Sequence, residues 1–226
     1  MASTNNHKGH RQRMKERFIS EGIDSFSNHQ VLELLLFYGI PYKDTNETAH
    51  QLLQRYGSIS GVFNADYIEL AAEPGLGPHA ALLIRMMPEL ARRYSQDRWD
   101  NKTQITDSKS AGLYAISLFI GIEYEAFYMI CLDSQSRISM PVRISDGTIN
   151  EAMVYPRVIV ENALRYKAAM VILSHNHPGG STEASLADVE MTKKLSKALE
   201  VVGVKIMDHI IVAGEKYASL AEKRLL

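Results

Sequence analysis

The stretch from Ala169 to Asp188 reads AMVILSHNHPGGSTEASLAD. It opens on an apolar run, Ala169 to Leu173, then breaks into polar residues that include His175 and His177. Pro178, Gly179 and Gly180 turn the chain, and a helical pattern begins near Ser185 with Asp188 in its first turn. This is the pattern of a buried strand that ends at a metal site, with a third ligand on the next helix. Strand side chains repeat every two residues, so an extended chain lets both imidazoles face one way. Two imidazoles and a carboxylate are a common three-ligand set for a catalytic zinc, with water in the fourth position. The same residues also have a structural reading. Ser185-x-x-Asp188 is close to a capping box, with the serine capping the helix and the acid suited to the helix dipole. His177 then belongs to an ordinary turn. The spacing does not fit the His-Glu-x-x-His helix of common metalloproteases.

His175-x-His177, followed after a seven-residue gap by Ser185-x-x-Asp188, matches the JAMM motif of the JAB1/MPN metalloprotease superfamily. The wider string, HNHPGG with Ser185, Asp188, Thr192 and then Asp208-His209-Ile210-Ile211, resembles the bacterial RadC-like (UPF0758) group of that superfamily. The resemblance implies an MPN/JAB-like α/β fold and one Zn2+ per chain held by His175, His177 and Asp188. It implies a peptidase or isopeptidase acting on a protein or peptide substrate. The family's catalytic glutamate falls on Glu125, in the context Glu125-Ala126-Phe127. Glu123 is the close rival, because both point to one face of an extended chain. Ser185 would donate a hydrogen bond to the developing oxyanion, a contact compatible with its capping role.

Ligating histidines usually need a partner for the second ring nitrogen, which makes Asp208 and His209 candidates to orient a ligand imidazole. Asn176, between the two histidines, should point away from the metal. Thr192 is expected to pack or to bond the helix backbone. One position departs from the family: the residue before Pro156-Arg157, often histidine there, is Tyr155 here. It is not a ligand in this scheme. Arg157 becomes a candidate to bind a substrate carboxylate.

The chain has 226 residues, enough for one large domain or two small ones, and its 46% apolar content supports a real core. A net charge of −1 argues neither for nor against nucleic acid. The single cysteine, Cys131, lies in an apolar run and excludes an intramolecular disulfide. With no secretory pattern and no apolar run of membrane-spanning length, a cytoplasmic protein without membrane contact is expected.

Residues 1–98 read as a helical domain. Arg11 and Arg13 belong to a basic run that is either a solvated helix face or a phosphate-contact patch. Pro74-Gly75-Leu76-Gly77 joins two short helices and resembles the turn of a helix-hairpin-helix element, in which backbone N–H groups meet a DNA phosphate. The structural alternative is a tight turn in a helical bundle. Residues 1–98 also resemble the N-terminal region of RadC-like proteins, and DNA is the partner this region suggests. Residues 99–106 read as an exposed linker, part of which can extend as an edge strand.

Residues 107–226 alternate strands and helices, which gives an α/β domain with a mixed sheet. Phe127–Leu132 is nearly all apolar and so interior to the sheet. Arg137–Ser145 returns as its hairpin partner, with Pro141 marking an edge. That edge is a docking surface, so the chain is expected as a monomer or weak homodimer. The alternative to an amidohydrolase is a DNA-binding repair-type protein or metal-dependent nuclease. Nucleases more often use two hard cations than one zinc.

Overall fold

A computed structural model describes residues 4–99, 103–147 and 154–226. The chain divides into two compact units, Met1–Leu90 and Ala91–Leu226.

The first unit is all helical: α1 (Thr4–Glu21), α2 (Asn28–Gly39), α3 (Asn46–Tyr56), α4 (Ile59–Asn64), α5 (Tyr67–Ala72) and α6 (Gly77–Asp97), the last continuing into the second unit. Leu32, Leu36, Ala49, Leu52, Val62, Leu70, Ala80 and Ile84 form its core. Ser27 and Gln30 close a capping box on α2, and Asp66 caps α5 by accepting from the Ile68 and Glu69 N–H groups. Gly75 and Gly77 have φ of +83° and +71°, a region that L side chains rarely adopt, so the turn between α5 and α6 depends on both. The Glu33 carboxylate is buried and held by His10 Nε2 and Asn46 Nδ2, each at 2.9 Å, which ties α1 and α3 to α2.

The second unit is a five-stranded mixed sheet between helices. Its elements are α7 (Ser108–Leu118), β1 (Ala126–Leu132), β2 (Ile138–Asp146), α8 (Pro156–Arg165), β3 (Met170–Asn176), α9 (Leu186–Glu200), β4 (Lys205–Ala213) and β5 (Lys216–Ser219). The strand order is β2-β1-β3-β4-β5. Only β3 and β4 run parallel, joined by the α9 crossover; the other neighbouring pairs are antiparallel. Strand alternation sorts the core into two layers. Tyr128, Ile130, Leu132, Ile172, Ile210 and Val212 face α7, while Phe127, Met129, Cys131, Val171 and Leu173 face α8 and α9. All seven residues of β1 are buried, as an interior strand requires, and β2 with Pro141 lies at the edge.

The strand β3 runs past the apolar residues, which end at Leu173, to Asn176. Ser174 makes this possible, because its hydroxyl donates to the Ile210 carbonyl at 2.9 Å and so satisfies a polar side chain inside the sheet. Two helices bury faces that their large apolar residues alone would not mark. On α7 the buried face is Ala111, Tyr114, Ala115 and Leu118, while Leu113 is exposed; the small alanines and Gly112 let the helix sit close on the sheet. On α9 Leu186 is 84% exposed, and Asp188, Met191, Thr192, Leu195 and Leu199 face inward. Of the stretch expected as an exposed linker, two described residues are packed, while Gln104 and Thr106 are exposed. Trp99 lies against the α7-side core, and Ile105 is fully buried beside a bridge from Gln104 to Arg137.

Candidate metal centre

β3 delivers His175 at its penultimate position and His177 just past its end. The extended backbone puts their Nε2 atoms 2.8 Å apart. The His177 N–H donates to the Val212 carbonyl of β4, which keeps the chain extended that far. α9 brings Asp188 from its first turn, with Oδ1 3.3 Å from His175 Nε2 and Oδ2 3.8 Å from His177 Nε2. The residue before β1 is Glu125, and donor atoms of Glu125, His175 and His177 lie within 4.8 Å of one another. Two carboxylates and two imidazoles therefore converge from three separate elements.

The hydrogen bonds fix which ring nitrogens carry protons. The Thr192 hydroxyl has one proton and gives it to the Asp188 carbonyl at 2.6 Å. It can then only accept from His209 Nδ1, 2.6 Å away, so His209 is protonated there. His209 Nε2 is left as a lone pair, and it accepts from His175 Nδ1–H at 2.8 Å. His177 Nδ1 faces the Ser181 carbonyl at 2.9 Å and must be the donor. Both Nε2 atoms consequently present lone pairs to each other and to the Asp188 carboxylate. Such a set is completed by a cation, either a shared proton or a metal ion, and the residues present fit a zinc ion. Burial, more than the neighbouring His177, lowers the His175 imidazole to about 4, against a smaller opposing pull from Asp188. Burial likewise holds His209 well below the ordinary histidine range, helped by His175 and His177. Both rings are neutral near pH 7, as ligands and their partners need to be.

The capping box and the cluster share residues. Ser185 N–H and hydroxyl donate to Asp188 Oδ2 at 2.8 and 2.7 Å, and Asp188 N–H donates back to Ser185 Oγ at 3.1 Å. The cap thereby aims the carboxylate at the imidazoles. Phe127 lies parallel to the His175 ring, with centroids 6.2 Å apart and planes 11° apart, and walls the cluster on the β1 side.

Asn176 points away from the imidazoles. It accepts from the Ala126 N–H at 2.7 Å and donates to the carbonyls of Tyr124 (2.9 Å) and Ile122 (3.4 Å), clamping the segment that carries Glu125. Glu123 is exposed and lies outside the cluster, lining a cleft of about 430 Å³ with Phe119, Ile122, His177 and Pro178.

Several expected site residues are placed elsewhere. Asp208 does not reach an imidazole. Its neighbour His209 takes the site face of β4, so Asp208 takes the other, where it accepts from Ser108 Oγ, Ser219 Oγ and the Ala221 N–H. Arg157 is exposed and pairs with Glu161 one helical turn along, at 2.7 Å; Tyr155 before it is the N-cap residue of α8. Arg11 is spent on the end of α2, where its guanidinium donates to the carbonyls of Ile40, Pro41 and Lys43, so it is not a free phosphate contact. Arg13 is exposed, and Gly75 and Gly77 line a cleft of about 490 Å³ with Tyr42, Lys43 and His79. The sequence reading missed the Thr192–His209 contact. Its signal was there, because a residue four after Asp188 shares its helix face.

Residues 105–225 match the model of the RadC-like JAB domain, and residues 7–82 match that of the UPF0758 N-terminal region. The chain belongs to the RadC-like JAB family. Its relatives include a UPF0758 protein of Pseudoalteromonas translucida, 37% identical over 215 residues, covering 95% of this chain and 96% of the relative. A UPF0758 protein of Fusobacterium nucleatum is 34% identical over an alignment of 231 residues, covering 99% of this chain and 100% of the relative. The family match spans the sheet domain that holds the cluster. Among the described residues no helix is long and apolar enough to cross a membrane.

Proposed function

We propose that this chain is a zinc-dependent amidohydrolase, a peptidase or isopeptidase, in which His175, His177 and Asp188 hold the metal and Glu125 moves the proton. The observation that supports it most is the pair of facing Nε2 atoms with the Asp188 and Glu125 carboxylates close by. Nitrogen-rich donors suit zinc better than magnesium or manganese. When bound, zinc supplies a Lewis acid that makes water nucleophilic near neutral pH and polarises a carbonyl.

The chain's own residues do the rest. Glu125 takes the proton of the attacking water on a carboxylate oxygen and returns it to the leaving amine nitrogen. Thr192 and His209 hold His175 in the tautomer that leaves Nε2 free. Asn176 fixes the backbone on which Glu125 stands. Ser185 first holds Asp188, and it donates to a substrate oxyanion only by turning its hydroxyl away from Oδ2.

The test is elemental analysis of the purified chain and of His177→Ala in parallel, followed by a peptide-library cleavage screen. One zinc per chain, lost in the variant, with cleavage of peptides is expected. A pair of hard cations with cleavage of DNA would replace this reading with a nuclease.

A further inference from the structure

The pairing of β2 with β1 shifts register at two points, one between Cys131 and Leu132 and one beside the imidazole cluster: Phe127 stands opposite Ser145, but Tyr128 stands opposite Arg143. Ile144 is therefore an extra residue, a β-bulge at the end of the edge strand nearest the metal cluster. Bulges re-aim a side chain. Directly opposed residues share a face, so Ser145 projects on the face of Phe127, and Phe127 is itself opposed to His175 on its other side. Ser145, Phe127 and His175 form one row across three strands, which at about 4.8 Å per strand puts Ser145 about 10 Å from His175. Glu125 shares this face, and the Gly147 N–H donates to its carbonyl at 2.7 Å, so β2 borders the base directly.

The Ser145 hydroxyl is buried and has no hydrogen-bond partner; among the described residues it is the one such side-chain atom. A buried hydroxyl left unpaired costs stability and calls for an explanation; a partner from outside the chain is one, and the half-buried Ser145 side chain can turn its hydroxyl to meet it. We propose that Ser145 is a substrate contact: its hydroxyl bonds a backbone amide of an extended peptide two to three residues from the bond that is cut. The reach follows from the separation, since an extended chain advances about 3.3 Å per residue. The proposal rests on the amidohydrolase reading above.

The experiment uses the zinc-loaded full chain and Ser145→Ala, with acetohydroxamate and two series of peptides lengthened one residue at a time. One series carries the hydroxamate at its C-terminus and the other a malonyl hydroxamate at its N-terminus, so that both sides of the site are probed. Affinity is read by calorimetry and stability by thermal melting. The expected result has three parts. Acetohydroxamate binds both proteins equally. In one series the wild type gains affinity at the second or third residue, and Ser145→Ala loses about three- to tenfold of it, the worth of one hydrogen bond. The variant melts no lower than the wild type, because the lost hydroxyl had no partner. Equal loss at every length, no loss at any, or a lower melting temperature would overturn the contact. Failure of acetohydroxamate to bind the wild type would instead remove the metal reading beneath it, and the contact with it.

Discussion

His175 Nδ1 lies 2.8 Å from His209 Nε2, and both rings are closed off from solvent. This bond sets the tautomer of His175. Replacing His209 by Phe keeps a ring in the space but removes the acceptor. Zinc affinity should fall about 10- to 100-fold, the usual cost of losing a partner behind a metal ligand. Competition with a chromophoric chelator measures it, and circular dichroism should show the fold retained.

Glu125 and Glu123 are separated by one residue of chain, yet only Glu125 joins the two imidazoles. Glu125→Gln should cut peptide hydrolysis at least about 100-fold, the lower range for a general acid–base, with zinc still bound. Glu123→Gln should leave the rate near the wild-type value. The reverse result would move the base by two residues.

Asn176→Ala removes three hydrogen bonds and strands the buried Ala126 N–H. The loss should be about 1–3 kcal/mol in denaturant melts. Because the clamp holds Glu125 rather than the ligands, hydrolysis should suffer more than zinc affinity. A variant that loses zinc and activity in parallel would contradict that division.

Gly112 on α7 leaves no room for a side chain: a Cβ there would stand 2.4 Å from the Tyr217 ring. Tyr217 belongs to β5 and packs on the α7-side core, so it cannot simply swing away. Gly112→Ala should destabilise the chain by about 1–3 kcal/mol. Tyr217→Leu in the same chain should recover part of it, since contacting sites are not additive.

Burial pushes the Cys131 thiol up to about 11. The folded value lies above the unfolded one of about 8.5, so only the unfolded chain gains from deprotonation. The thiol's contribution to stability is intact below that unfolded value and is lost as pH rises through about 11. At about pH 8, Ellman's reagent should react with Cys131 only as the protein unfolds, and at once in denaturant.

Much of the fold was written along the chain. The unbroken apolar run Phe127–Leu132 marks an interior strand, Pro141 an edge strand, and the Ser185 pattern a helix start, because each depends on residues near in sequence. The same holds for His175, His177 and Asp188, which one strand, one turn and one helix bring together. What local pattern could not give is anything set by pairing between distant strands. Asp208 and His209 are neighbours in sequence, and strand alternation sends them to opposite faces; the β3–β4 register decides that His209 meets His175, and the β4–β5 pairing with the packing of α7 decides that Asp208 meets Ser219 and Ser108. Arg11 reads as a free cation until the end of α2 arrives to bind it. Ser145 is one more strand serine until a single extra residue in β2 turns it toward the site. The sequence by itself determined the donor types, their order and the elements that carry them, because side-chain chemistry and backbone periodicity are local. The tertiary structure alone decided tautomers, faces and unpaired atoms, because these depend on which non-local backbone lies opposite.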